Sequence, residues 1–334
     1  MIRTPLILYR SSFCYAGFVT LWLLLRLVFF DTIWWLALLN TVALYLFLPL
    51  PILLGLAIIR RRWRVLPALA LPVASFAWLF GALFLPPWPL APPPMTTSLS
   101  VMTFNLLYRN RDTAAISAAI GSTHPDLIGV QELSTPQMTT LRELLRDDYP
   151  YAQFHTSEHE AGVGLFSRFP ITAATSFPLP PRNLALHATV LVSHTPVHVL
   201  VVHLSPNRAL GTPLLALGSM ATSHYATQAN EIASIQQELQ PIHAPILLLC
   251  DCNLTETSQA YASLAVRLQD SFREIGWGLG HTYPAGPLPL QRYDYIWHSA
   301  QFVAVGVEIG PAGGSDHLPV IAHLGLQTTA GERQ

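Results

Sequence analysis

The sequence predicts a layered α/β sandwich carried behind three transmembrane helices. Three observations lead there. Of the 334 residues, 51% are hydrophobic and only 11% charged, whereas about a quarter of a soluble protein is charged. The shortfall sits in residues 12–85, where Arg26, Asp31 and the cluster Arg60, Arg61, Arg62 and Arg64 are the only charges. From Met95 onward, short apolar runs of strand type alternate with polar helical stretches, without internal repeats.

The apolar region divides into spans at 12–30, 33–59 and 65–85. Each reaches the roughly 20 residues that cross ~30 Å of hydrocarbon as a helix. A signal peptide would show one core of about 7–15 apolar residues, so cleavage is not expected. Pro49, Pro51, Pro67 and Pro72 are tolerated in membrane helices, and Arg26 is expected to snorkel to the interface.

Loop charges set the orientation. Arg3 and Arg10 precede the first span, "RRRWR" lies between the second and third, and the first loop carries only Asp31. The positive-inside bias places the N-terminus in the cytoplasm and, after three crossings, the rest of the chain on the outer face of a bacterial-type plasma membrane. A re-entrant third span would return it to the cytoplasm. "PPWPLAPPP" at 86–94 reads as a stiff spacer with Trp88 at the interface. The expected organisation is an anchor at 1–85, a proline-rich linker at 86–97, a soluble domain at 98–326 and a disordered tail at 327–334.

Charge narrows the partners. From Met95 onward eleven arginines and no lysine face eighteen acidic residues, a net charge of −7. Binding to nucleic acid rests on Lys/Arg neutralising phosphates, so nucleic acid is not an expected partner here.

Along the domain, "SLSVMTFNLL" (98–107) alternates as a strand, with Met102 and Phe104 on one face and Val101, Thr103 and Asn105 on the other. Residues 111–126 read as a helix closed by Gly121, followed by the strand "LIGVQEL". A helix over "TPQMTTLRELL", three strands to "VHVLVVHLSP", a helix over about 218–240, and the strands "PILLLCDCN" and "RYDYIWHS" complete the alternation.

Polar residues with metal-binding or acid–base capacity recur at strand ends. They are Asn105, Glu132, His203, Asp251 and Asn253, with Asp294 in "RYDYI" and Asp316-His317 in "GGSDHLPV". Converging carboxylates and amide oxygens suit a hard cation, Mg²⁺ above all, with Mn²⁺ or Ca²⁺ as substitutes.

"CDCN" at 250–253 admits two readings, a Cys-x-Cys site or an Asp-x-Asn site. Strand alternation puts Asp251 and Asn253 on one face and the cysteines on the other. An extended strand would hold the cysteine Cα atoms about 6.6 Å apart, near the upper limit for a bridge, so no structural disulfide is expected. A zinc site would need further ligands. His187, His194 and His198 read as solvated hairpin residues, Arg168 and Arg182 as surface ion pairs, and Tyr293 and Trp297 as core or pocket wall. "HEAG" at 159–162 lacks the second histidine of a zinc-protease helix.

The ordered set "TFN", "QE", "GLFSR", "VVHL", "CDCN", "RYDYI" and "SDH" resembles the endonuclease/exonuclease/phosphatase superfamily of metal-dependent phosphoesterases over residues ~98 to ~324. The resemblance implies a four-layer sandwich of two mixed sheets flanked by helices. It also settles "CDCN": Asp251 and Asn253 match the Gly-Asp-x-Asn form, the cysteines replacing a glycine and an apolar residue. By the same resemblance Glu132 is the principal metal ligand, with Asn105 beside it and Asp316 as a further metal-side carboxylate. Asp251 orients or deprotonates the attacking water, and Asn253 binds the phosphate. His317 is the acid/base or phosphate-contacting histidine, its ring held in one tautomer by Asp294. His203 meets a phosphate oxygen or protonates the leaving group.

The three spans resemble the membrane-anchored bacterial branch that includes teicoplanin-resistance-type proteins, which implies a lipid-linked polyprenyl pyrophosphate as substrate. A sphingomyelinase-like phosphodiesterase and a tethered nuclease are alternatives. A non-catalytic membrane scaffold is the alternative of another class. Loss of Glu132, Asp251 or His317 would point to it, and all three are present.

Overall fold

A computed structural model describes residues 3–85, 95–156, 162–181, 183–209 and 211–327. The expectations for the linker at 86–94 and Trp88, for "HEA" at 159–161, for Arg182 and for the tail from 328 fall outside those residues. The chain forms two compact units. One comprises Met1–Leu85, Arg208–Tyr225 and Thr255–Ala262, the other Pro86–Asn207, Ala226–Leu254 and Ser263–Gln334.

The first unit holds α1 (Arg3–Phe29), α2 (Trp34–Thr41), α3 (Pro49–Ile59) and α4 (Leu66–Phe80). Two helical stretches, Leu6–Phe29 and Trp63–Phe84, are long and apolar enough to cross a membrane. The expected second span is not one straight helix: α2 and the stretch Ala43–Ile59 meet at 74°, and they make a third span only if the bent pair is one crossing. The helix leaves α geometry at Val42 (φ −107°, ψ 19°) and continues as a 3₁₀ turn over Ala43–Phe47. Beyond it Pro49 and Pro51 have no N–H to donate to the carbonyls of Tyr45 and Phe47.

Polar residues at the α1–α2 turn hold part of the later chain. Arg26 is buried and donates to the Thr257 carbonyl at 3.3 and 3.2 Å, a partner the sequence reading does not foresee. Asn40 accepts from Trp22 Nε1 (3.1 Å) and donates to Asp31 (2.7 Å). Thr257 Oγ1 donates to the Asn40 carbonyl, and Gln259 N–H donates to Asp31.

The second unit is built from two mixed six-stranded sheets. The elements in order are β1 (Met95–Asn105), α5 (Thr113–Thr123), β2 (Leu127–Leu133), α6 (Thr135–Leu144), β3 (Tyr151–His155), β4 (Gly162–Ser167), β5 (Ile171–Leu179), β6 (Asn183–Val192) and β7 (Thr195–His203). Then follow α7 (Leu214–Leu239, its first half in the other unit), β8 (Ile246–Asp251), α8 (Gln259–Leu264), β9 (Gln269–Asp270), α9 (Ser271–Ile275), β10 (Asp294–His298), β11 (Phe302–Ile309) and β12 (Val320–Gln327). Strand orders are β11-β12-β1-β2-β4-β3 and β5-β6-β7-β8-β10-β9. The central pairs, β1 with β2 and β7 with β8, are parallel, and the other ladders are antiparallel.

Period-2 alternation explains the layers. Val101, Leu186, Ala188, Val199, Leu247 and Leu249 fill the core between the sheets. Met102 and Phe104 face the other way and pack with Ile116 and Ile120 of α5 and Leu141 of α6, as the sequence predicts. On the second sheet His187, between Leu186 and Ala188, points outward and meets Glu238 of α7 at 2.6 Å. Helices therefore cover both outer faces. His187 also bonds His198 at 2.8 Å. These two histidines are partly buried under α7, not solvated as expected. α5 runs past Gly121 to Thr123 and ends on His124 in the left-handed region (φ 46°). Arg168 pairs with Asp126, Trp297 is core, and Tyr293 stacks on Tyr283.

Candidate active site

Register delivers the site. His203 of β7 and Asp294 of β10 both pair with Asp251, the last residue of β8. Three adjacent strands thus present an imidazole and two carboxylates at one level. From the facing sheet come Asn105, ending β1, and Glu132, near the end of β2. The loop before β12 adds Asp316 and His317. The structure brings these residues together as follows.

Asn105 Nδ2 donates to Asp251 Oδ2 at 2.7 Å and to Glu132 Oε1 at 3.3 Å. Its Oδ1 accepts from Leu107 N–H at 2.9 Å, so the amide nitrogen, not the oxygen, faces the carboxylates. Glu132 Oε2 accepts from Tyr108 N–H at 3.0 Å. His203 Nε2 lies 3.6 Å from Asp251 and 3.9 Å from Glu132. His317 Nδ1 lies 2.8 Å from Asp294 Oδ2, and its Nε2 lies 3.7 Å from Asp251 Oδ2. Asn253 donates its side chain to the Leu204 carbonyl (3.0 Å) and its backbone N–H to Asp251 Oδ1 (3.2 Å).

Two of these residues have positive φ: Glu132 at 52° and Asn253 at 46°. Asparagine tolerates that region, but for glutamate it is uncommon and costly. At Glu132 the β2–β4 ladder shifts register between Val130 and Leu133. The irregularity turns Glu132 out of strand phase beside the fully buried Gln131, which bonds Thr103 and the Leu249 carbonyl. Local strain of this kind marks functional positions.

The cysteines depart from the sequence expectation. Cys250 and Cys252 are joined by a disulfide, with Cα atoms 5.0 Å apart. The expected separation assumed an extended chain, whereas β8 ends at Asp251 and the backbone contracts there. Both cysteines are fully buried.

The electrostatics are those of a crowded acidic pocket. Burial pushes the Asp251 carboxyl up against the opposing pull of His317. Burial raises Asp316 too, aided by Glu132. Burial alone would lower His317, but Asp294 and Asp251 outweigh it and the imidazole is pushed up to about 10. Asp251, Asp294 and His317 form a buried group able to hold a metal ion, each with a ligand atom within 4.8 Å of the others. Asp294 Oδ1 and Asp316 Oδ1 are buried without a hydrogen-bond partner. Unpaired carboxylate oxygens in a mostly oxygen donor set fit a hard divalent cation.

Sequence reasoning missed three contributors. Ser315 Oγ donates to the Asn105 carbonyl (2.7 Å) and accepts from His317 N–H (3.1 Å). Tyr283 packs on the His317 ring, centroids 4.8 Å apart. Tyr108 contributes only its backbone. Ser315 sits inside the "SDH" motif and carried a signal, but the other two carried none.

Residues 102–317 match the model of the Endonuclease/Exonuclease/phosphatase family. The chain belongs to that family. Solved structures of the endonuclease/exonuclease/phosphatase fold agree. A family member from Bacteroides vulgatus matches with TM-score 0.56 and 18% identity, over 70% of this chain and 100% of that one. A mannosyl-6-phosphatase from Bacteroides thetaiotaomicron matches with TM-score 0.52 and 16% identity, over 68% and 99%. D. rerio TDP2, complexed with a single-strand DNA product, matches with TM-score 0.53 and 15% identity, over 68% and 99%. At these identities the likeness shows the fold. No curated protein matches the sequence. As a member of this family the chain is a hydrolase of phosphoester bonds.

Proposed function

We propose that this endonuclease/exonuclease/phosphatase protein is a membrane-anchored, Mg²⁺-dependent phosphoesterase on the outer face of a bacterial-type plasma membrane, acting on a lipid-linked, polyprenyl-type pyrophosphate. The observation that carries this is the presence, in one chain, of spanning-length apolar helices and a cluster of carboxylates, Glu132, Asp251, Asp294 and Asp316, around His317. A site fixed at a bilayer gains effective concentration only for substrates held there too. Loop arginines support the outward orientation. The Cys250–Cys252 disulfide supports it independently, because such bonds persist in oxidising compartments.

In this reading Glu132 and Asp316 would hold the cation, and Asn105, whose amide nitrogen donates to Glu132 and Asp251, would orient those carboxylates instead of ligating it. When bound, the cation supplies charge neutralisation at the phosphoryl oxygens. Asp251, its carboxyl raised by burial, accepts the proton of the water that attacks phosphorus in line. The charged His317, steadied by Asp294, directs Nε2–H at a phosphoryl oxygen as the phosphoanhydride bond breaks. Asn253 and His203 contact the phosphate.

Phosphate release by purified protein in detergent with Mg²⁺ tests the proposal. The panel is a polyprenyl pyrophosphate, sphingomyelin, an inositol phosphate and plasmid DNA, with Asp251→Ala and His317→Ala as controls. Release from the polyprenyl substrate, lost in both variants, is expected. Plasmid nicking would make the protein a tethered nuclease against the charge of −7 carried from Met95 onward, and no activity on any substrate would favour a scaffold.

A further inference from the structure

The first turn of α7 carries two leucines with no cover. Leu214 is 84% and Leu215 102% exposed. This turn lies in the unit that holds the apolar helices, and its surroundings there indicate what covers it.

Within that unit α7 runs beside α2. The ring of Trp34 packs against Gly218, where an added Cβ would come within 3.3 Å of it. Seven residues on, the hydroxyls of Thr41 and Tyr225 are 2.7 Å apart. Equal steps along both chains mean that the two helices lie side by side and point the same way for roughly 10 Å. Leu214 and Leu215 precede Gly218 by four and three residues, so they share its face of the helix. They therefore extend the apolar surface that begins at Trp34, which like Trp35 is 39% exposed.

The angle of α2 supplies the second observation. It meets the stretch Ala43–Ile59 at 74°. If that stretch lies near the membrane normal, α2 and the first half of α7 lie near the membrane plane. Exposed tryptophans are enriched at that level.

We propose that Leu214 and Leu215, continuous with Trp34 and Trp35, form an interfacial foot that enters the boundary between lipid headgroups and acyl chains. Its partner is the bilayer itself. The unit's long apolar helices already commit it to lipid, and the leucines continue a surface facing that same solvent. The foot rests on the reading of α1 and α4 as membrane spans. It adds a monolayer contact made by a segment that sequence reading assigned to the soluble domain.

Spin labelling of the full chain in phospholipid nanodiscs tests it, in a Cys14→Ser background. Labels go at Leu214→Cys, Leu215→Cys, Leu21→Cys and Val266→Cys, all exposed positions. The readout is collision with oxygen, which concentrates in lipid, against a water-soluble nickel chelate. Labels at 214 and 215 should favour oxygen, as at 21, with 266 favouring nickel. Labels at 214 and 215 that match 266 while 21 stays in lipid would overturn the foot and leave the spans standing. A nickel-accessible label at 21 would overturn the spans, and the foot with them.

Discussion

His317 holds Asp294 at 2.8 Å through Nδ1 and faces Asp251 at 3.7 Å through Nε2, so one ring bridges two buried carboxyls. Its charge follows from that position. The imidazole moves from its ordinary 6.5 to about 10 because Asp294 and Asp251 together outweigh burial. A raised histidine stabilises the fold fully below its ordinary value and loses that contribution as pH climbs through the folded one. In chelator, the melting temperature should therefore fall between pH 6.5 and 10. Asp294→Asn should flatten that slope in a parallel thermal melt.

Asp251 is the only one of these carboxyls that pairs, through its strand, with both His203 and Asp294. As the proposed proton acceptor it should contribute about 10²–10⁴-fold to turnover. Asp251→Asn should lower kcat by that order, with KM changed far less and an unaltered circular dichroism spectrum. A loss confined to KM would assign Asp251 to binding.

Glu132 combines charge with a left-handed backbone (φ 52°). Glu132→Gln keeps an acceptor for Tyr108 N–H, so the fold should persist while Mn²⁺ affinity, read by calorimetry, weakens by at least the roughly 10–100-fold that loss of an outer-shell partner costs. Glu132→Val places a β-branched side chain at positive φ and should destabilise the protein by about 1–3 kcal/mol. Equal melting temperatures for the two variants would contradict a strained position.

Asp251 lies between two bonded cysteines, which gives its placement a redox dependence. Alkylation of denatured, unreduced protein should label Cys14 alone, and all three cysteines after treatment with a dithiol. Reduction of the intact enzyme should lower kcat reversibly as the contracted backbone at Asp251 relaxes. Unchanged kcat with fully reduced cysteines would show that the bridge does not position the carboxylate.

The sandwich was legible because its strands end apolar runs on polar residues, and those residues meet: Asn105, Glu132, His203, Asp251, Asp294 and His317 share one rim. Their connections were less legible. Spacing arguments assume regular backbone, and the site departs from it at Glu132, Asn253 and the Cys250–Cys252 turn. Hydropathy sees an unbroken run at 33–59 but not the 74° bend within it. Arg26 reads as a snorkelling cation because its partner, the Thr257 carbonyl, lies 231 residues away. The burial of His187 needs Glu238, a helix away, and no local pattern announces it.

Two stretches that follow site residues in sequence, Arg208–Tyr225 after His203 and Thr255–Ala262 after Asn253, are folded with the apolar helices. Thr257, Ser258 and Ala221 are buried there. The apolar helices are therefore no removable leash. A fragment beginning at Met95 would strip those residues of their cover, leaving Thr257 without Asn40 and Arg26, and would be prone to clump in water. A soluble version of this enzyme needs those two stretches redesigned along with any excision of the helices.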